Sequence, residues 1–193
     1  MSPAATGPRS DARITLIIGG ARSGKSQLAE KLAAEQKGSL VYIATAEAWD
    51  EEMRERIARH RRDRAERVPR MRTVEEPLAL AQAIGRHSRP DTLIVVDCLT
   101  LWLTALLMPA VGQALDGPAA ADAPPASLAG AVAACAGPLV LISNEIGLGV
   151  VPLGRDVRTF VDALGTLNQL AAAACERVTL MSAGIPLTLK GSA

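Results

Sequence analysis

The chain has 193 residues, of which 49% are apolar, and a formal net charge of +1. This size and apolar content suffice for one domain with a substantial core, and they exclude an intrinsically disordered chain. The near-neutral charge and the four aromatic side chains (two Trp, one Tyr, one Phe) argue against nucleic-acid binding through a basic surface or through base stacking.

The first half of the chain alternates short β-branched runs with segments of helical spacing. The predicted strands are Arg13–Ile18, Leu40–Thr45 and Thr92–Cys98. The predicted helices are Ser26–Glu35, Trp49 to about Arg67 and Pro77 to about His87, and a further apolar helix follows the third strand and runs through Trp102. Residues 1–12 are small and polar, so we expect a flexible extension before a single catalytic domain over 13–193.

The second half begins with a segment rich in Ala, Pro and Gly. Pro109–Pro125 predicts a long surface connection, followed by a short Ala-rich helix. The remaining predicted elements are a strand over Leu139–Asn144, a helix over Val157–Ala174, and two strands over Arg177–Ala183 and Pro186–Lys190 that can form an antiparallel edge hairpin. Strands that alternate with helices predict an α/β fold, with a mostly parallel sheet covered on both faces.

The cysteines and the apolar runs bear on compartment. Cys98, Cys135 and Cys175 lie far apart without CxxC spacing, which predicts free buried thiols and no zinc site or disulfide. No stretch of about 18 apolar residues could cross a bilayer. We therefore expect a cytoplasmic protein with no integral membrane segment.

The clearest functional signal is GGARSGKS, which follows the first strand and opens the first helix. It matches the P-loop pattern, in which backbone N–H groups and a helix N-terminus surround phosphate oxygens. Lys25 is expected to reach the β- and γ-phosphates, and the Ser26 hydroxyl to ligate Mg²⁺. The loop residues are Gly19, Gly20, Ala21, Arg22, Ser23, Gly24, Lys25 and Ser26. The alternative is a glycine-rich turn that only connects two elements.

Two carboxylates follow later strands. Asp97 ends the strand LIVVD, where a second ligand for magnesium is expected beside a P-loop; a strand-end capping residue is the alternative. Asn144 and Glu145 begin the glycine-rich segment SNEIGLGVVP, Ser143–Pro152, and are candidates for a substrate or metal rim. A tight structural turn is the alternative for that segment.

His60 lies on the predicted charged helix, within about 60° of Met53 and Ile57 on a helical projection. This spacing alone favours a core or rim residue over a catalyst. Seven arginines between Arg54 and Arg67 offer two interpretations: a solvated charged helix, or a cationic wall for phosphates with an imidazole nucleophile among them. His87, in GRHSRP, has no such surroundings and is expected to be merely exposed.

These segments together resemble the bifunctional adenosylcobinamide kinase/adenosylcobinamide-phosphate guanylyltransferase family of cobalamin biosynthesis. The resemblance covers roughly Arg13 to Lys190 and is carried by GGARSGKS, YIATAEAWDEEMRERIARHRRDR, the strand with Asp97, SNEIGLGVVP and FVDALGTLNQLAAAACERVTLMSAGIPLTLK. Pro109–Pro125 aligns with nothing in the family. Arg59 precedes a single histidine where some members have two, and Asp97 stands where relatives can have Glu.

The resemblance implies a RecA-like P-loop NTPase fold, a homotrimer, and two reactions. ATP or GTP first phosphorylates the aminopropanol hydroxyl of adenosylcobinamide. GMP from GTP is then transferred to that phosphate through a histidine–GMP intermediate at His60, giving GDP-adenosylcobinamide and pyrophosphate. The catalytic residues are thus His60 and Lys25. Beyond the P-loop, the family's nucleotide contacts map onto Thr45, Ala46, Glu47, Arg61, Arg62, Asp63, Arg64, Glu75 and Asp97.

Two other functions stay open on the sequence. One is a monofunctional P-loop kinase for a small molecule, in which His60 is structural. The other is a nucleotide-gated regulatory module of RecA-like type, for which Pro109–Pro125 is the unexplained surface. The sequence also leaves open the preferred phosphoryl donor, the corrinoid-binding residues, and whether the His60 helix moves when GTP binds.

Overall fold

A computed structural model describes residues 12–48, 50–108 and 119–191. The strands are β1 (Ile14–Gly19), β2 (Ser39–Ala44), β3 (Arg72–Glu75), β4 (Thr92–Asp97), β5 (Leu139–Ile142), β6 (Arg177–Ser182) and β7 (Ile185–Lys190). The helices are α1 (Lys25–Glu35), α2 (Glu51–Arg67), α3 (Leu80–His87), α4 (Leu99–Leu107), α5 (Ala119–Ala133) and α6 (Arg155–Ala174).

The strands form one sheet in the order β3-β2-β4-β5-β1-β6-β7. All neighbouring strands are parallel except β7, which runs antiparallel to β6. The turn between β6 and β7 is tight because Ala183 and Gly184 both have positive φ, 50° and 82°. The predicted α/β fold and its antiparallel edge hairpin are therefore confirmed.

Alternate side chains of the central strands enter two separate cores. Ile94 and Val96 of β4 pack on one face of the sheet with α3, α4, α5 and α6, whereas Leu93 and Val95 pack on the other face with α1 and the end of α2. This double coverage explains the continuous apolar run of β4. Because α1 follows β1 and α2 follows β2, both helices start at the carboxyl ends of the parallel strands, where ligands of open α/β sheets bind.

Several predicted boundaries differ from those observed. Strand β3 was not predicted, because RTVE is short and polar and only Val74 contributes to a core from this edge position. Helix α5 begins at Ala119, so the predicted surface connection over Pro109–Pro125 is wrong for residues 119–125. Alanine is the strongest helix former, and α5 packs on α3 and α6. Residues 109–118 lie outside the described part of the chain.

The starts of three helices are set by local hydrogen bonds and turns. Asp50 is the N-cap of α2 and accepts a 2.7 Å hydrogen bond from the Met53 amide, so the helix begins after it. Helix α3 begins at Leu80 and not at Pro77, since the Glu76 carboxylate accepts bonds from the Leu78 and Ala79 amides. Helix α6 begins at Arg155, two residues before the predicted start.

Two predictions about the wider molecule can be compared with the described residues. Cys98, Cys135 and Cys175 are free and buried, as expected. Among the helices within residues 12–48, 50–108 and 119–191, none has both the length and the apolar character needed to cross a membrane. The predicted extension over 1–12 lies outside the described residues except for Ala12.

Candidate nucleotide-binding site

The P-loop, Gly19–Ser26, connects β1 to α1 and requires glycine at two positions. Gly24 has a φ of 99° immediately before the first residue of α1. Gly19 has a φ of 150°, and a Cβ there would lie 2.4 Å from the carbonyl oxygen of Met181. Other residues adopt these conformations only under strain, so the two glycines keep the loop closely wrapped over the end of β1.

The polar groups inside the loop point to an anionic ligand. The Lys25 ammonium donates to the carbonyl oxygens of Gly19 and Gly20, at 3.0 and 2.7 Å, which holds it within the loop. Ser23 Oγ is buried and has no hydrogen-bond partner, and Ser26 Oγ has none among the described residues either. Phosphate oxygens could satisfy all three groups, as the P-loop prediction requires.

Burial lowers the pKa of Lys25, and this effect is opposed by the nearby Cys98 and Asp97. The positive charge of Arg56 on α2 adds to this lowering. The electrostatic field at the phosphate-binding lysine therefore includes a contribution from α2.

Asp97 is fixed by its neighbours on β2. Its carboxylate accepts a hydrogen bond from the Tyr42 hydroxyl, and burial together with Asp97 raises the pKa of Tyr42 well above 10.0. The Thr45 hydroxyl donates to the carbonyl oxygen of Cys98 at 2.8 Å and accepts from its amide at 2.7 Å. The Thr45 amide also donates to the carbonyl oxygen of Asp97 at 3.0 Å. The fully buried Thr45 therefore joins the ends of β2 and β4 next to Asp97.

The C-terminal half of α2 is anchored to the same strands. The Arg64 guanidinium lies over the Tyr42 ring, 3.6 Å from its centroid, and donates to Thr73 Oγ1 at 3.1 Å. Arg61 pairs with Glu75 at the end of β3. Arg67 pairs with the buried Glu30 of α1 at 2.7 Å. These contacts fix α2 against both α1 and the sheet edge.

His60 lies four residues from Arg56 and four from Arg64, so the three share one stripe of α2. Arg56, at one end of this stripe, contributes to the electrostatic field at Lys25, and Arg64, at the other end, covers the Tyr42 ring whose hydroxyl bonds Asp97. His60 is half-buried, and its imidazole makes no hydrogen bond or ion pair with the described residues. The helix therefore presents a free imidazole between two groups of the nucleotide site.

The family comparison extends over almost the whole chain. The model for "Cobinamide kinase / cobinamide phosphate guanyltransferase" matches residues 15–189. The chain belongs to this family.

Curated relatives support the assignment to the cobinamide kinase/guanyltransferase family. The bifunctional adenosylcobalamin biosynthesis protein CobP of Pseudomonas aeruginosa is 51% identical over 176 residues, which cover 91% of this chain and 96% of the relative. The bifunctional adenosylcobalamin biosynthesis protein CobU of Escherichia coli is 38% identical over 184 residues, covering 91% of this chain and 98% of the relative.

Solved structures show the fold alone. A Pyrococcus horikoshii OT3 protein determined in a structural study has a TM-score of 0.54 at 8% identity, covering 94% of this chain and 87% of that one. The type III secretion ATPase EscN of enteropathogenic Escherichia coli has a TM-score of 0.50 at 13% identity, covering 89% of this chain and 43% of that one. The P-loop ATPase fold predicted from the sequence is thus confirmed.

The glycine-rich segment SNEIGLGVVP begins directly beside the P-loop. The Glu145 amide donates to the carbonyl oxygen of Gly19 at 3.1 Å. The Asn168 side-chain amide of α6 donates to the carbonyl oxygen of Asn144 at 3.0 Å. The segment then exposes Leu148 and Val150, which are 84% and 96% accessible. The backbone of Glu145 is thus bonded to the phosphate loop, and the role of Asn144 and Glu145 as a substrate or metal rim stays a prediction.

The remaining predicted nucleotide contacts lie in the loop after β2 and on α2. Ala46 is half-buried and Glu47 exposed in the loop after β2. Arg62 is exposed about 200° around α2 from His60, and Asp63 pairs with Arg67 at 3.9 Å. The structure thus brings the P-loop, Thr45, Arg64 and Asp97 together and leaves Arg62 on the far side of the helix.

Sequence reasoning missed Tyr42 and Arg56 and misjudged His87. Tyr42 is the only tyrosine and precedes Thr45 in one strand, and Arg56 is four residues before His60; both spacings were available as signals. His87 is the last residue of α3, half-buried, with Nδ1 3.1 Å from Arg72. The expectation that it is merely exposed is wrong, because the unpredicted β3 brings Arg72 beside it.

The residues present fit a magnesium–nucleotide complex. Within the described parts of the chain, no group of three or more His, Cys, Asp or Glu is arranged to hold a metal ion. Mg²⁺ is usually held by one or two protein oxygens together with substrate phosphates and water. Ser26 Oγ and the Asp97 carboxylate could supply those protein oxygens.

Proposed function

We propose that this chain phosphorylates adenosylcobinamide with ATP or GTP and then transfers GMP from GTP to adenosylcobinamide phosphate. The observation that carries the proposal is the stripe of Arg56, His60 and Arg64 on α2. It places a free imidazole between Arg56, whose charge acts on the P-loop lysine, and Arg64, which covers the ring of the Tyr42–Asp97 pair. A kinase alone needs no imidazole there, which is why we favour two reactions over one.

In the kinase step, the aminopropanol hydroxyl oxygen attacks the γ-phosphorus, and the bond from that phosphorus to the β,γ-bridging oxygen breaks. The hydroxyl proton is lost and the nucleoside diphosphate leaves. Lys25, now bonded to two loop carbonyls, would turn toward the β- and γ-phosphate oxygens and offset their charge. Asn144 and Glu145 would border the acceptor because their segment is hydrogen-bonded to Gly19.

In the guanylyl step, the neutral His60 imidazole attacks the α-phosphorus of GTP, and the bond to the α,β-bridging oxygen breaks. Pyrophosphate leaves and GMP remains on the histidine. A phosphate oxygen of adenosylcobinamide phosphate then attacks the same phosphorus, and the imidazole is released. Arg56 and Arg64 flank His60 and would stabilise negative charge on the transferring group.

Ser26 and Asp97 would hold Mg²⁺, which neutralises charge on the phosphates when bound. The remaining predicted nucleotide contacts, Ala46, Glu47, Arg61, Arg62, Asp63 and Glu75, stay proposals that extend this site along the loop after β2, the second half of α2 and the end of β3. Of these, Arg61 and Glu75 are already paired with each other.

The assembly and compartment are also proposed. Ile185, Leu187 and Leu189 alternate along the edge strand β7 and are 68%, 56% and 54% exposed, which suits contact with further copies in a homotrimer. Sedimentation equilibrium would give three times the mass of the chain. Consumption of nucleoside triphosphates and the free cysteines support a cytoplasmic location.

The two half-reactions provide the test. His60→Ala is expected to keep adenosylcobinamide phosphorylation within about twofold and to lose guanylyl transfer by at least about 10³-fold, because only the second step uses the imidazole. Lys25→Ala should reduce both. Glu55→Ala, at an exposed position of the same helix, is the matched control and should reduce neither. Normal guanylyl transfer by His60→Ala would contradict the proposal.

A further inference from the structure

A second cationic cavity lies at the amino ends of the parallel strands, whereas the P-loop lies at their carboxyl ends. Its volume is about 400 Å³, and it is bordered by the first residues of three parallel strands, Ser39, Arg72 and Thr92. Asp97, at the other end of β4, belongs to the nucleotide site. Thr92 and Asp97 are five residue steps apart along β4, which is roughly 17 Å. The cavity is therefore distinct from the site described above.

Four arginines and one histidine surround this cavity, and they come from separate parts of the chain. Arg70 lies between α2 and β3, Arg72 in β3, Arg86 and His87 at the end of α3, and Arg89 between α3 and β4. Among the described residues, none that lines the cavity carries a carboxylate. Such convergence differs from the row of arginines on α2, which follows from helical spacing along one element.

The positive charges of the cavity are mostly uncompensated. Within the described part of the chain, Arg86 is the one lining arginine that pairs with a carboxylate, Glu76, at 3.1 Å. Arg70 donates to the carbonyl oxygens of Gly38 and Gln36, and Arg89 to that of Ser88 at 2.6 Å. A carbonyl oxygen satisfies a guanidinium N–H without neutralising its charge, so these side chains retain charge for an anion.

The positive electrostatic field of these arginines acts on the His87 imidazole. The Arg72 guanidinium lies 3.1 Å from its Nδ1 and is positioned to donate to the neutral ring. Burial lowers the pKa of His87, and the charges of Arg72, Arg86 and Arg89 lower it further. Three carboxylates lie on or next to these elements: Glu76 is already paired with Arg86, Asp91 Oδ1 accepts from Thr92 Oγ1 at 3.4 Å, and Glu75, at the other end of β3, pairs with Arg61. They do not cancel the field at the imidazole.

We propose that this cavity binds a small phosphate-rich anion, either pyrophosphate or the polyphosphate chain of a nucleotide, independently of the P-loop. Guanidinium groups bind phosphate oxygens in a bidentate manner, and three to four of them around one concavity match a multiply charged oxyanion. The volume lies near the lower end for small-molecule sites, which favours a compact ligand over an acidic protein segment spread across a surface. The inference does not depend on the proposed function.

The two histidines of the chain make a direct test possible. Imidazole resonances are followed by NMR during titration with pyrophosphate, with His87→Gln used to assign the His87 signal. A bound polyanion stabilises the imidazolium, so the pKa of His87 should rise by about one or more. The same rise is expected in Lys25→Ala, whose P-loop is impaired, because the two sites lie at opposite ends of the parallel strands.

Variants of the lining arginines define the site. Arg72→Gln should weaken pyrophosphate binding about tenfold, and Arg72→Gln combined with Arg89→Gln about a hundredfold, as expected for charge-assisted hydrogen bonds. Lys31→Gln removes one exposed positive charge from α1 and is the matched control, which should bind as the unmodified chain does. Unchanged circular dichroism spectra and melting temperatures establish that the arginine variants are folded.

The ligand source is resolved by parallel titrations with pyrophosphate, ATP and inorganic phosphate. Equal affinity for ATP and pyrophosphate would support recognition of the phosphate chain alone, and tighter binding of ATP would support a nucleotide. Three results would overturn the proposal: no response of His87 at millimolar pyrophosphate, a response that survives the double arginine variant, or a response to oligoglutamate but not to pyrophosphate.

Discussion

At the scale of single residues, the nucleotide site depends on a few side chains held in unusual surroundings. Lys25 is a cation kept in a partly desolvated loop, and Asp97 is an anion held by a neutral phenol. In both cases the surrounding protein holds a charged side chain in place where phosphates and a metal ion are expected to bind. Their consequences for pH dependence and stability can be measured separately.

The lowered pKa of Lys25 predicts an early loss of nucleotide affinity at alkaline pH. Above that pKa, the free protein must take up a proton before the lysine can bind phosphate, so affinity falls at a lower pH than an ordinary lysine would require. Isothermal titration with ATP across pH 7 to 10.5 measures this. Lys25→Arg stays charged throughout and should abolish the decline; identical profiles for the two proteins would refute the prediction.

The hydroxyl of Tyr42 should make a measurable contribution to stability in addition to the packing of its buried ring. The raised pKa of Tyr42 keeps the phenol protonated, so it donates to Asp97 over the whole neutral range. Tyr42→Phe keeps the ring under Arg64 but leaves the carboxylate with one partner fewer, which should cost about 1–2 kcal/mol in urea unfolding. Tyr42→Leu also loses the cation–π contact and should cost more. A Phe variant as stable as the unmodified chain would contradict this role.

At the scale of elements, α2 is held unevenly. Arg61, Arg64 and Arg67 tie its C-terminal half to β3, Tyr42 and α1. Among the described residues, the side-chain contacts of its first turns are local: the Met53 amide donates to the Asp50 N-cap, and Arg54 pairs with Glu51. The half that precedes His60 thus depends on the half that follows it, an arrangement that permits movement about the C-terminal anchor.

Hydrogen exchange should reveal this asymmetry. In the nucleotide-free protein, backbone amides of residues 54–60 are expected to exchange faster than those of residues 61–67, because fewer tertiary contacts oppose local opening. GTP with Mg²⁺ should slow exchange in the first group, since the phosphates would draw Arg56 and His60 against the P-loop. Uniform exchange along α2, unchanged by GTP, would mean that the helix is rigid and already in place.

The same elements show why some of the structure followed from the sequence and some did not. The P-loop, the apolar strands and the facing of His60 depend on local spacing, which is visible in the sequence. Strand β3 and the surroundings of His87 depend on pairing between distant segments, and RTVE has too little apolar character to signal it. Residues 119–125 were misassigned because proline and glycine nearby outweighed the helix propensity of alanine.

At the scale of the whole molecule, the sheet separates two cationic regions. The P-loop, Asp97 and the α2 stripe lie at the carboxyl ends of its parallel strands, and the arginine cavity around His87 lies at their amino ends. The proposed kinase and guanylyl reactions both use the site at the carboxyl ends, with Lys25 at the terminal phosphates and His60 at the α-phosphorus. The account therefore requires that one nucleotide site performs both phosphoryl and nucleotidyl transfer.

Covalent labelling tests this requirement most directly. The protein is incubated with Mg²⁺ and GTP carrying ³²P at the α-phosphorus, denatured, and the label remaining on the chain is tested for stability to acid and base. We predict label that is labile in acid and stable in base, as for a phosphoramidate, present in the unmodified chain and in Glu55→Ala and absent in His60→Ala. No label on the intact protein, or label that survives His60→Ala, would contradict the guanylyl–histidine intermediate.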